Sequence, residues 1–143
     1  MGTISARLFA LILMLAAPAV AAQETDATGK VAIELNTVSE GEGNCTLTFL
    51  VTNGHAVDIE QLVYETVLFD AAGHVNRLTL FDFGALPMGS PRVRQFAVPE
   101  LTCDGLGRVL FNGLHTCAAD GLAQGVCGDS LRPSSRVKIE VLG

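Results

Sequence analysis

The segment Cys45–Thr52 reads CTLTFLVT and carries the clearest strand pattern in the chain. Its apolar residues Cys45, Leu47, Phe49 and Val51 recur at every second position, and threonine occupies positions 46, 48 and 52. Alternate side chains of a strand point to opposite faces, and β-branched threonine suits a solvated face. The pattern therefore predicts a strand with one face in a core and the other in water.

Six further short strands are predicted around this segment, and residues typical of turns separate them. No helix is predicted after the first 22 residues, and residues 113–135 are predicted to form a long irregular connection. Such a series of strands is typical of an all-β, immunoglobulin-like antiparallel β-sandwich of about seven strands. We expect this single domain to cover residues 30–143. The other six predicted strands span residues 31–36, 62–70, 74–82, 92–98, 108–112 and 136–142.

The N-terminus has the three-part pattern of a secretory signal peptide. Arg7 precedes the apolar run Leu8–Ala17 (LFALILMLAA), and Pro18 and small residues follow it. The run is about half as long as the roughly 20 residues that a membrane span needs. We therefore expect residues 1–22 to be a signal peptide, residues 23–29 to be a flexible mature N-terminus, and the mature protein to be periplasmic or secreted without a membrane span.

Composition narrows the classes of protein further. The chain has 143 residues, of which 49% are hydrophobic, so it has enough apolar surface to form a core. Its formal net charge is −6. Nucleic acid binding requires basic patches that neutralise phosphates, so this balance argues against a nucleic acid partner.

The four cysteines are predicted to form two disulfides, because an even number in an exported chain indicates a disulfide framework. No C-x-x-C pair is present, which argues against a zinc site and against thiol–disulfide exchange. In the predicted strand order, Cys45 and Cys103 fall at one end of the sandwich. Cys117 and Cys127 share one connection at the opposite end. The predicted pairs are therefore Cys45–Cys103 and Cys117–Cys127.

The segment Leu50–Val75 (LVTNGHAVDIEQLVYETVLFDAAGHV) resembles the FxLYD-type domain. That family has a strand, an Asn-Gly-like turn, and a second strand that ends in Leu-Tyr/Phe-Asp before a glycine turn. Here the ending is Leu68–Asp70, Gly73 follows it, and Thr66 stands where the family has its leading Phe. The resemblance implies an immunoglobulin-like sandwich in an exported protein and carries no catalytic residues. The whole chain also resembles small exported proteins of bacteria.

The histidines provide the one candidate metal site. His55 and His115 are predicted to lie in turns at the same end of the sandwich, and His74 at the other end. We expect all three to be exposed loop residues. The alternative is a periplasmic copper- or zinc-binding protein that uses His55 and His115, with Met88 as a possible soft ligand.

No catalytic residues or cofactor are predicted. Five serines lie in predicted loops without the G-x-S-x-G sequence that activates a nucleophile, namely Ser39, Ser90, Ser130, Ser134 and Ser135. Arg92 and Arg94 share one strand face and are candidates to bind an acidic partner or to protect a sheet edge. The sequence thus favours a non-enzymatic binding or accessory module whose partner is another envelope protein.

Overall fold

The alternating segment around Phe49 forms strand β2, Asn44–Asn53, in which buried and partly exposed side chains alternate along the whole strand. Cys45, Leu47, Phe49 and Val51 are fully buried, as the sequence predicts. The threonines between them face outward and are partly exposed. Hydrophobic burial of one face therefore fixes the orientation of this strand.

The structure is a computed structural model that describes Gly2 and residues 28–143. The predicted signal peptide, apart from Gly2, and residues 23–27 of the predicted mature N-terminus lie outside the described residues. The described residues contain eight strands and confirm the all-β sandwich. A 3₁₀ turn (Cys103–Gly105) connects β5 to β6, and a short helix α1 (Gln124–Asp129) lies between β6 and β7. The eight strands are β1 (Val31–Gly41), β2 (Asn44–Asn53), β3 (Ile59–Asp70), β4 (Val75–Leu86), β5 (Arg92–Pro99), β6 (Leu106–Ala118), β7 (Leu131–Ser135) and β8 (Glu140–Leu142).

Two mixed four-stranded sheets pack against each other. The first sheet has the order β5-β2-β1-β7, and the second has the order β4-β3-β6-β8. Most neighbours are antiparallel, but β7 is parallel to β1 and β8 is parallel to β6. The edge strands are therefore β5 and β7 in the first sheet and β4 and β8 in the second.

Aromatic rings from both sheets fill the centre of the core. The ring of Phe49 in β2 lies about 6 Å from four other phenylalanine rings, three of which belong to the second sheet. Phe81 in β4 also stacks on Phe96 in β5, with ring centroids 4.1 Å apart. Such contacts add to the free energy of burying each ring. The rings in contact with Phe49 are those of Phe81, Phe83, Phe96 and Phe111.

The side chain of Asp70 stabilises the β3–β4 turn. The carboxylate of Asp70 accepts hydrogen bonds from the backbone N–H groups of Ala72 and His74, each at 2.9 Å. These bonds, that of His74 foremost, hold the pKa of Asp70 below its usual value. Gly73 has φ +87°, a conformation that glycine adopts without steric cost.

Both predicted disulfides are present. Cys45 is bonded to Cys103 with the Cα atoms 4.9 Å apart, and Cys117 is bonded to Cys127 with the Cα atoms 6.3 Å apart. The first joins β2 to the connection between β5 and β6. The second closes the segment between β6 and β7, which contains α1.

The C-terminal region differs from the prediction. Residues 136–139 bend instead of forming a strand, so only the last part of the predicted strand 136–142 is present as β8. The predicted irregular connection 113–135 contains part of β6, α1 and β7. Val137, Ile139 and Val141 still pack on the core, so their alternation reflects burial rather than continuous pairing. The bend carries the chain from the first sheet to the second.

We expect the Cys45–Cys103 disulfide to stabilise the fold more than Cys117–Cys127. Their sequence separations are 58 and 10 residues, and a crosslink over a longer loop removes more entropy from the unfolded chain. The difference in loop-closure entropy is worth about 1.5 kcal/mol. Urea unfolding of Cys45→Ala/Cys103→Ala and Cys117→Ala/Cys127→Ala measures both losses. An equal or larger loss in the second variant would contradict this expectation.

Candidate functional site

The sequence suggested an exposed turn for His55, but this prediction is wrong, because the side chain is buried. Its Nε2 lies 2.9 Å from the hydroxyl oxygen of Ser130. That hydroxyl donates its proton to the backbone carbonyl of Cys127 at 3.1 Å. The Ser130 hydroxyl thus has two partners, the imidazole and a carbonyl oxygen. Burial lowers the pKa of His55, which favours the neutral imidazole.

Buried polar groups extend this pair into a network. Asn53 is fully buried; its side-chain oxygen accepts from the N–H of His55, and its amide donates to the carbonyls of Val57 and Leu86. Tyr64 donates its hydroxyl proton to the carbonyl of Cys127, and burial raises the pKa of Tyr64 to about 12. The network joins the β2–β3 connection, the end of β4 and the disulfide-closed segment. Its role is structural, since its groups are paired with one another.

The pairing of His55 with Ser130 does not assemble a nucleophile. Both side chains are buried, and the serine hydroxyl also lies 3.1 Å from the carbonyl oxygen of Cys127. A serine nucleophile needs access to substrate and a base that can take its proton. Burial of both side chains denies Ser130 that access. Among the described residues, none of the other four predicted loop serines forms a hydrogen bond with a histidine.

The two histidines of the metal alternative have different surroundings. His115 lies within β6 instead of following a strand, and its exposed ring bonds through Nδ1 to the hydroxyl of Thr116. His55 is buried and uses Nε2 for Ser130. Within residues 28–143, no three or more His, Cys, Asp or Glu side chains form a group that could hold a metal ion. Met88, the proposed soft ligand, has a 54% exposed side chain.

Arg94 is committed to the fold and is not free to bind an acidic partner. Its guanidinium donates to the carbonyl oxygens of Phe83 at 2.6 Å and Ala85 at 2.8 Å. These carbonyls belong to β4, so Arg94 in β5 ties the edges of the two sheets together. Arg92 donates to the adjacent carbonyl of Pro91.

A cleft of about 340 Å³ lies where the end of β1, the 3₁₀ turn and the C-terminal bend meet. Its apolar walls include Val38, Leu106 and Ile139. Asp104 and Lys138 provide opposite charges on its rim, and both are exposed. The cleft therefore offers apolar contact without a buried polar group that would orient a substrate.

The outer face of the first sheet is largely polar. Thr46, Thr48 and Thr52 of β2 point outward, and the amide of Gln95 in β5 donates to the hydroxyl of Thr48 at 3.0 Å. This alternation of apolar and polar residues is expected when one face of a sheet is in water. The first sheet therefore presents an ordinary solvated surface.

The outer face of the second sheet carries an apolar row that crosses all four strands. Leu78 in β4 pairs with Val67 in β3, Val67 pairs with Leu110 in β6, and Leu110 pairs with Leu142 in β8. We call these four residues the apolar row. Leu78 is 60% exposed and Leu142 is 37% exposed at the two ends of the row, whereas Leu110 is half-buried and Val67 is buried. The solvated face of a sheet normally carries polar side chains, so an apolar row is unusual there.

Further groups flank the apolar row. Val75 and Leu80 of β4 are 63% and 49% exposed. On one side of the row, Arg108 forms an ion pair with Glu140 at 2.6 Å and lies 5.8 Å over the ring of Phe69. An apolar centre with a polar border resembles the organisation of protein–protein interfaces. The row was not predicted, although β4 has apolar residues at both even and odd positions, which was the available signal.

We expect the free energy of unfolding to fall between about pH 7 and 5, because His55 takes up a proton more readily in the unfolded chain. Its folded pKa is below the ordinary value of 6.5, so acid favours unfolding as soon as the unfolded histidine begins to titrate. Urea unfolding across this range should show the loss in the natural protein and in His115→Gln. The loss should be smaller in His55→Gln; an undiminished pH dependence in that variant would contradict the assignment.

Comparison of the chain with protein-family models, curated proteins and solved structures finds no match. The similarity to the FxLYD-type domain and the immunoglobulin-like classification therefore stay predictions. No helix among the described residues has the length and hydropathy needed to cross a membrane. The apolar row is thus the feature of the described surface that most needs a functional explanation.

Proposed function

We propose that the protein is an exported, disulfide-stabilised binding module that acts without catalysis, through contact with another protein of the cell envelope. The apolar row on the outer face of the second sheet carries this proposal. Its exposed members lie at its two ends, with Leu78 beside Leu80 and Val75 on β4 and Leu142 on β8, and clustered exposed apolar side chains mark interaction sites on soluble proteins. Burial of Leu78, Leu142 and their neighbours against a partner would remove this surface from water.

The chemistry of the cysteines supports an oxidising location. All four are paired in disulfides, and such bonds persist in the periplasm and outside the cell. The leader-like sequence Leu8–Ala17 supports export by an independent route. Both observations favour the cell envelope or the extracellular space.

A sheet surface fits a protein partner better than a small ligand. The apolar row runs along the pairing direction across four strands, so it is extended and shallow. Small molecules bind in concave sites that enclose most of their surface. An ion pair at the border, formed by Arg108 and Glu140, would restrict the orientation of a docked protein more than it would add affinity.

A photo-reactive amino acid at position 142 should cross-link to an envelope protein in cells that export the chain. The matched control is position 132, because Arg132 is also exposed on a C-terminal edge strand but lies on the outer face of the first sheet. Adducts from position 142 and none from position 132, identified by mass spectrometry, are the expected result. Absence of adducts from position 142, or equal adducts from both positions, would refute the proposed surface.

A further inference from the structure

Three of the four edge strands carry features that prevent pairing with another chain. β5 has Arg92 and Arg94, and Arg94 is already bonded to β4. β7 has five residues and contains Pro133, and β8 has only three residues. Like charges, proline and short length are the usual means of blocking edge-to-edge association.

Strand β4 differs from the other three edges. It is 12 residues long and contains no proline. Residues 77–81 pair with β3 in continuous register, so this part of the strand is regular and its other side is open to a further strand. Arg77 and Asp82 are its charged residues and their charges cancel. The register shifts between Val75 and Arg77 and between Asp82 and Gly84, and Arg94 already occupies the carbonyls of Phe83 and Ala85, so the regular open part of this edge is residues 77–82. A proline-free open segment whose two charges cancel is suited to pair with another strand.

We propose that two copies of the chain associate through antiparallel pairing of their β4 strands about Thr79. Directly opposite residues in an antiparallel pair lie on the same face. Pairing about Thr79 places Leu78 of each copy opposite Leu80 of the other, so four exposed leucines form one outer cluster. The sequence Leu-Thr-Leu around the axis makes the strand complementary to itself, which a two-fold interface requires.

Charge does not oppose a second copy at the β4 edge. Each chain carries a formal net charge of −6, so two copies repel each other over most of their surfaces. Because Arg77 and Asp82 cancel within β4, this edge allows close approach. Pairing one strand covers less than the roughly 800 Å² per partner of standard interfaces. The dimer is therefore reversible and depends on protein concentration.

This interface shares Leu78 with the apolar row but does not require the proposed function, because Leu142, the cross-linking position, lies on β8 at the opposite edge of the sheet. A monomeric protein that still cross-links from position 142 would overturn the dimer and leave the proposed function intact. A dimeric protein without those adducts would support the dimer and overturn the proposed function.

Sedimentation velocity over a concentration series, with paired charge variants, tests the proposal. The natural protein should shift from monomer to dimer as its concentration rises. Leu78→Lys/Leu80→Lys should stay monomeric, because lysines would face lysines. Leu78→Lys/Leu80→Glu should regain the dimer at low salt, because each introduced lysine would face the introduced glutamate of the other copy. Val93→Lys is the matched control, since Val93 is 58% exposed on β5 and should leave the dimer unchanged.

Thermal unfolding of each variant by circular dichroism checks that the fold is retained, and the two double variants alter the same positions. A natural protein that is monomeric throughout the series would overturn the proposal, as would a dimer of the double-lysine variant. A monomeric lysine–glutamate variant with an intact fold would overturn the register about Thr79.

Discussion

Packing around Phe49 determines how the two sheets face each other. Its ring projects from the central strand β2 of the first sheet and contacts Phe81, Phe83 and Phe111 of the second. Removal of such a ring from a packed core typically costs about 3–5 kcal/mol. The cluster fixes which face of each sheet points inward and therefore which side chains remain outside. Leu78 and Leu110 lie on the outer face because each is an odd number of residues from an inward-facing ring of its own strand, Phe81 in β4 and Phe111 in β6.

The two ends of the sandwich are held by different chemistry. At one end, the Cys45–Cys103 disulfide joins the first sheet to the connection that enters the second. At the other, the Cys117–Cys127 disulfide acts with hydrogen bonds from Tyr64, His55 and Ser130. Buried polar groups need partners, and this network satisfies them within the protein. The ends are thus fixed, and the surface that we propose for contact is the outer face of the second sheet with its β4 edge.

Much of the fold could be predicted from the sequence because its central strands alternate with a period of two. Cys45–Thr52 is the clearest example, and the position of Cys45 at the start of this strand also located it at one end of the sandwich. The bend at residues 136–139 could not be predicted, because Val137 and Ile139 face the core whether or not their backbone is paired. Burial of His55 depends on Ser130, 75 residues away, so no local pattern reveals it. The apolar row depends on register between four strands, which a single sequence does not specify.

We propose the second sheet, with its β4 edge, as an interaction surface. Hydrogen–deuterium exchange of the β4 amides that do not bond to β3, compared at low and high protein concentration, tests this surface. Pairing at the β4 edge predicts slower exchange within residues 76–81 at high concentration, with no change in β5. Exchange in β4 that is equally fast at every concentration, and unaffected by addition of envelope extract, would contradict the claim.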